Sequence, residues 1–470
     1  LFERGLAHKA MNDCFHAVGD FSAAVSGAPD VAPILLEKAQ CLIDLDQPEE
    51  AARSVERALL AAPGTPRAFV LKGVIYEKGG FLARAEDEYS RALYYDPVYP
   101  AALDKRAGVL LKRGKPREAL ADLDLLVRIE PQRPDVLVSR ARLNMKLRQY
   151  DRSLEDYSRA ESLVGGDEAI VKEKVQALFK TGRPGSALAD ISRYAAQHPD
   201  DFEGQILQAR AHILLKDFAK AEAILRAVFA RIPSCAPCYL CSGLIARLGK
   251  DWDKALADLN RAVNLDPSST EALKERGRVF IELDEPVRAA ADLTAAAELD
   301  PSDGEIFALR GLTFLSRMLF DAAIQDFTHA LECLPGDARI LYDRAAAFVR
   351  KEDWTSALQD LDKIVSAKPR AARALALRGV VHFSRGKTGA AAVDFNRAVE
   401  SDADDPLVWN NRGFFYYKTG DYAAAMSNFN KALQLNPEYE HARRNLSLAL
   451  RKRERGSEPN SVAEAPLATE

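Results

Sequence analysis

Proline returns in this sequence at a fixed interval. It stands at 29, 63, 97, 131, 199, 233, 267, 301, 335, 369 and 437, and every gap is 34 residues or twice 34. The two vacant places hold Gly165 and Ala403. A chain that keeps one register through 13 units, with no insertion or deletion, is not a set of unrelated domains. It must stack one supersecondary unit on copies of itself, each touching its neighbours.

Other positions follow the same period. Twenty-four residues ahead of each proline place lies a small residue, from Gly5, Ala39 and Gly73 to Gly413, with Val175 departing. Twelve ahead stands Ala17, Ala51, Ala85 and their successors, with Ser153 the exception. Eight ahead is a large apolar residue, such as Phe21, Tyr89, Tyr157, Phe327, Phe395 or Phe429. This predicts two antiparallel helices per unit. The small residue lets them cross closely, and the large one fills the space between them. Proline at the boundary ends the second helix. Pro48, Pro116, Pro184 and Pro286 share a second phase, at the start of that helix, where a missing N–H costs little.

The pattern resembles the tetratricopeptide repeat family, and the last unit displays it most fully: Trp409, Gly413, Tyr416, Tyr422, Ala425, Phe429, Ala432, Pro437. The resemblance covers residues 1–437. It implies an all-α fold: a right-handed superhelical solenoid of antiparallel helix pairs, about 13 repeats long, with full repeats from 30–63 onward every 34 residues. The first repeat opens inside its first helix, and the chain begins Leu1-Phe2-Glu3-Arg4 without Met, which reads as an excised or processed form. Residues 438–455 read as a capping helix and 456–470 as a disordered tail.

A charge pattern rides on the repeat. Immediately before the small residue, 11 of the 13 units carry Lys or Arg, among them Arg4, Arg106, Arg140, Arg276, Arg310, Arg344, Arg378 and Arg412. Sixteen residues later most units carry an acid, such as Asp20, Asp122, Asp156, Asp292, Asp326, Asp360 or Asp394. The unit with Gln208 and Ile224 lacks both. Joint loss predicts that the two meet as an interhelical salt bridge. The other reading is an arginine ladder facing an acidic ligand.

In the resembled family, first helices line the inner face and peptides bind there. Mapping that stripe gives a basic zone of Arg142, Lys146, Lys172, Gln176, Lys180, Arg210, Lys274 and Arg278, interrupted by Leu240 and Leu244. An apolar zone follows with Tyr342, Val380, Asn410 and Phe414, beside Ala308, Leu312, Ala346 and Ala376. These are the candidate partner-binding residues, suited to an extended segment with acidic and apolar portions. The alternative is a solvated charged surface beside packed apolar side chains. Two ligand modes of the family lack their residues here. The pairs Lys172/Gln176, Lys274/Arg278 and Asn410/Phe414 do not complete the chaperone-tail clamp. Asn411 alone is no asparagine ladder, where Glu37, Leu71, Lys105, Ser139, Glu173 and Leu207 hold the corresponding places.

No catalytic, cofactor or metal residue is expected. Phosphate-binding glycine loops and nucleophile elbows are not readable. Cys235-Ala-Pro-Cys238-Tyr-Leu-Cys241 is the one local constellation, read as three ordinary thiols or as a metal or labile disulfide site. The other cysteines are isolated, which fits a reducing compartment. His8, His212 and His382 share one phase and read as packing variants. A formal net charge of −4 gives no global drive toward nucleic acid or anionic membrane, and apolar runs are too short and interrupted for membrane insertion. The basic cluster Arg443, Arg444, Arg451, Lys452, Arg453 and Arg455 reads as a solvated helix end or a targeting signal.

The function expected is a non-enzymatic, cytoplasmic protein–protein interaction scaffold or adaptor holding extended partner segments. A regulatory arm of a larger enzyme and a component of a ciliary or cytoskeletal assembly are the alternatives.

Overall fold

The computed structural model describes residues 1–27 and 31–455, so Pro29 and the expected tail at 456–470 lie outside the described residues. Among the described residues there are 27 α-helices and no strand. They alternate between first helices of mostly 13 residues, such as Pro66–Lys78, and second helices of mostly 14, such as Leu82–Tyr95. The chain divides into two compact units, Leu1–Val228 and a second that begins at Phe229. Each unit is a row of helical hairpins packed in sequence order.

The packing follows the period. Ala17, Ala51, Ala85, Ala255, Ala323 and Ala425 have no exposed surface. Phe21, Tyr89, Tyr157, Phe327, Phe395 and Phe429 are the largest fully buried side chains. At Gly311 the glycine is a requirement of space: a methyl group there would stand 2.7 Å from Phe327 Cε1. Pro48, Pro116, Pro184 and Pro286 each open a second helix.

Each hairpin turn is made by one left-handed residue, and the sequence reading did not single it out. The positions are Asn12, Asp46, Gly80, Gly114, Arg148, Gly182, Lys216, Lys250, Asp284, Met318, Glu352, Gly386 and Gly420, again 34 apart. In the first, the Asp13 amide donates to the His8 carbonyl at 2.9 Å and the Asn12 amide to the Lys9 carbonyl at 2.9 Å. That closes the first helix as a Schellman motif. Residue type is lax here because the two hydrogen bonds hold the conformation even for Arg148 and Met318.

The charged pairs meet. Arg106, Arg140, Arg276, Arg310, Arg344 and Arg378 each grip the aspartate 16 residues on with two parallel hydrogen bonds, 2.6–2.8 Å long. The remaining guanidinium nitrogen reaches back 16 residues to the preceding repeat: Arg140 to Asp124, Arg276 to Asn260, Arg344 to Thr328. Each arginine thus ties its own hairpin and the one before it. In the last repeat Asn428 accepts from Arg412 at 2.8 Å. Where Ser242 replaces the base, its hydroxyl donates to Asp258. Gln208 turns to Ser192 of the repeat before. In the repeats from Arg106 to Arg378 that carry the pair, the ladder ties the scaffold together and its charges meet inside the array.

The final helix, Glu440–Arg455, lies against Tyr422–Leu435 and Pro406–Lys418. Asn445 on it is buried and donates to Asn410 at 3.0 Å.

Candidate partner-binding site

The first unit holds the middle of the basic stripe, and the charges of Arg142 and Lys172 are compensated there. Arg142 makes paired hydrogen bonds to Glu173 of the next repeat, which also accepts from the Tyr157 hydroxyl at 2.8 Å. Lys172 is buried among Glu168, Asp201 and Glu203, at 2.6, 2.7 and 2.9 Å. Burial alone would disfavour its charge, but the hydrogen bonds it donates to those carboxylates outweigh it and raise the ammonium's proton affinity well above the lysine range. Arg210 lies over the Phe179 ring. Gln176 is half-buried; Lys146 and Lys180 are exposed. The expected open basic trough is therefore corrected at Lys172 and Arg142, which serve as ties between repeats. Sequence mapping of one repeat at a time could not register acids supplied by the next.

The second unit repeats that device. Lys274 pairs with Asp303 and Glu305, and Arg278 with Glu275 and Glu305. The expected apolar zone is corrected in part. Val380, Asn410 and Phe414 are 3%, 0% and 5% exposed. Val380 and Phe414 each sit in a buried apolar cluster, and Asn410 is bonded under the final helix, so these three side chains present no surface.

Tyr342 is placed differently. It lines a cavity of about 1000 Å³ in the second unit. The first helices Gly304–Ser316, Ala338–Arg350 and Ala372–Ser384 contribute to it, with the loop at 368–371 and residues 401–405. Leu312, Leu315 and Met318 supply apolar surface, over a floor that includes the buried Ala346, Ile364 and Ala374. Arg339, Arg350, Lys368, Arg370 and Arg373 outnumber Asp343, Asp402 and Asp405 around it. Arg373 Nε donates to Asp405 Oδ2 at 2.7 Å, while Asp405 Oδ1 caps the next first helix through the Leu407 amide. Burial raises the Tyr342 phenol beyond the usual tyrosine range. These arginines were missed because they lie off the selected stripe, at helix ends and in a loop.

Burial lifts the Asp343 carboxyl to about 6, with Arg339 opposing and Asp337 adding to the rise. A carboxyl whose folded value stands above its unfolded one favours the folded state while protonated. That favour is lost as pH rises between roughly 4 and 6. Asp343→Asn is therefore expected to stabilise the chain by on the order of 2 kcal/mol at about pH 7.5, and by little at about pH 4. Urea unfolding at the two pH values reads the difference; equal gains at both would remove the titration account.

The cysteine constellation is not three ordinary thiols: Cys235 and Cys238 form a disulfide, and Cys241 is buried beside them in sequence. The hairpin register brings the pair together, because Cys235 caps the helix Ala236–Leu248 and its sulfur faces the Cys238 amide at 3.2 Å. Among the described residues no helix is long and apolar enough to cross a membrane.

Tetratricopeptide repeat models match residues 36–100, 172–234 and 342–406, residues 244–312, and residues 406–439. Solved structures similar to this chain include the APC/C hetero-tetramer Cut9-Hcn1, 16% identical over 92% of this chain and 98% of that one, with a TM-score of 0.47. MamA is 22% identical over 36% of this chain and 92% of its own, with a TM-score of 0.34. No curated protein matches in sequence. Helical hairpins in one 34-residue register, a small residue against a buried ring at each crossing, and repeat models matching in both units lead to one assignment: the chain belongs to the tetratricopeptide repeat family.

Proposed function

We propose that this chain is a non-catalytic scaffold, and that its second unit holds an extended partner segment carrying acidic and apolar side chains in the groove around Tyr342. Family membership supports the general role, since such arrays bind other proteins. The groove's composition carries the finer reading. Apolar surface from Leu312, Leu315 and Met318 is rimmed by five cations against three carboxylates, one of which is held by Arg373. Apolar anchors gain from leaving water, and an acidic segment meets a complementary field that speeds encounter and fixes register. The exposed Lys146 and Lys180 remain proposed contacts of the first unit.

Arg350 and Arg370 are exposed at the groove, so reversing them tests binding. Short labelled peptides that combine acidic and apolar residues should bind the unaltered chain. Their affinity should fall at least about tenfold in the Arg350→Glu/Arg370→Glu chain. Equal binding of sign-reversed peptides, or unchanged affinity in the variant, defeats the groove assignment. Charge reversal at Lys172 is a poor test, because it would place a carboxylate among three others.

A further inference from the structure

The first repeat carries a constellation that the scaffold role does not use. His8 lies in the helix Phe2–Ala10, Asp13 caps the helix Cys14–Val25, and His16 is in that helix's first turn. Their ligating atoms all lie within 4.8 Å of one another. Asp13 Oδ1 accepts the His16 amide at 3.2 Å, which turns Oδ2 toward both imidazoles. His16 Nδ1 is 2.7 Å from Oδ2 and His8 Nδ1 is 3.3 Å from it. His8 Nδ1 is buried without a hydrogen-bond partner. We propose that His8, Asp13 and His16 form a binding site for a divalent transition-metal ion of the zinc class.

The chemistry fits that ion. Two imidazoles and a carboxylate form a ligand set that zinc accepts, leaving a fourth position for water. Zinc–ligand bonds of about 2.0–2.1 Å set tetrahedral edges of roughly 3.3–3.4 Å. The His8–Asp13 separation of 3.3 Å already matches. The His16–Asp13 hydrogen bond must open by about half an ångström, and His16 sits on the exposed side with room to move. Asp20, whose Oδ2 accepts from Arg4 Nε at 2.8 Å, lies on the Nε2 side of His8, 4.0 Å away and beyond hydrogen-bond distance.

Another repeat supplies the comparison. His212 and Asp217 occupy the places of His8 and Asp13, 3.5 Å apart, and His212 Nδ1 is likewise buried without a hydrogen bond. There Lys220 stands where the first repeat has His16, and its ammonium pairs with Asp217 at 2.8 Å. Lysine satisfies the electrostatics but, protonated, has no lone pair for a metal. His16 thus marks the first repeat as a ligand set, and His16→Lys recreates an arrangement this fold already tolerates.

The test uses the 470-residue chain without a histidine tag, stripped of metal and titrated with Zn2+ by calorimetry and with Co2+ by visible absorption. One ion per chain is expected, with a tetrahedral Co2+ spectrum lacking thiolate charge-transfer bands. His16→Lys should keep the helical signal and lower affinity by at least about 100-fold, the upper end of what outer-shell losses cost. Asp13→Asn, which keeps a good helix cap, should weaken binding too. No stoichiometric binding by the unaltered chain, full binding by His16→Lys, or thiolate bands pointing to the cysteines would overturn the site.

Discussion

Asp360→Ala is expected to destabilise the array by about 3–5 kcal/mol, far more than a surface ion pair is worth. Asp360 is 2% exposed, and both its oxygens accept from Arg344, at 2.7 and 2.8 Å. Deleting the carboxylate leaves a guanidinium, itself only 15% exposed, with Thr328 as a remaining partner. The cost is chiefly that of the orphaned charge, not of the lost attraction. Arg344→Met/Asp360→Leu, which removes both, should therefore return to within about 1 kcal/mol of the unaltered chain. Asp360→Asn should cost clearly less than Asp360→Ala, because the last repeat already pairs Arg412 with Asn428. Repeat arrays need not unfold in two states. Urea melts should accordingly be read with hydrogen exchange at the amides of Ala338–Arg350 and Trp354–Ala367. A loss below about 1 kcal/mol for Asp360→Ala would reduce the ladder to surface decoration.

The same ladder shows why some features were legible in sequence and others were not. The 34-residue period reports contacts inside a repeat, because the same two positions meet every time. Arg344 with Asp360 and Gly311 with Phe327 were readable for that reason. Contacts between repeats vary in residue type. Arg140 reaches back to Asp124, Arg276 to Asn260 and Arg310 to Thr294, and no fixed pattern announces them. The candidate stripe failed for a related reason. Lys172 looks solvated within its own helix and is enclosed by acids from the next repeat. Val380 and Phe414 look exposed on a helical wheel and are covered by neighbours. The groove at Tyr342 draws on several first helices, a loop and a helix cap, so it exists only after stacking. The metal ligands escaped for the opposite reason: His8 shares a phase with His212 and His382, and its distinction lies in His16, outside the repeat pattern.

Phe327→Ala should cost about 3–5 kcal/mol, since the ring is fully buried between two helices and the neighbours cannot collapse into the space. The partner across the crossing makes the loss conditional. Gly311→Ala alone forces a methyl to within 2.7 Å of the ring, an overpacking cost of about 1–3 kcal/mol. The better helix propensity of alanine returns roughly 1 kcal/mol of that. The chain itself shows the alternative solution. Where Ala345 occupies the crossing, Leu361 fills the space, and neither has exposed surface. Phenylalanines at this place face glycine in Gly5–Phe21, Gly379–Phe395 and Gly413–Phe429, whereas the buried Tyr157 has Ala141 at its crossing. Gly311→Ala/Phe327→Leu should accordingly sit within about 1.5 kcal/mol of the unaltered chain, less destabilised than the sum of Gly311→Ala and Phe327→Leu. A double-mutant cycle by urea unfolding measures that coupling. Strict additivity would mean that the small residue and the ring do not compete for one volume. The crossing would then owe its glycines to backbone geometry alone.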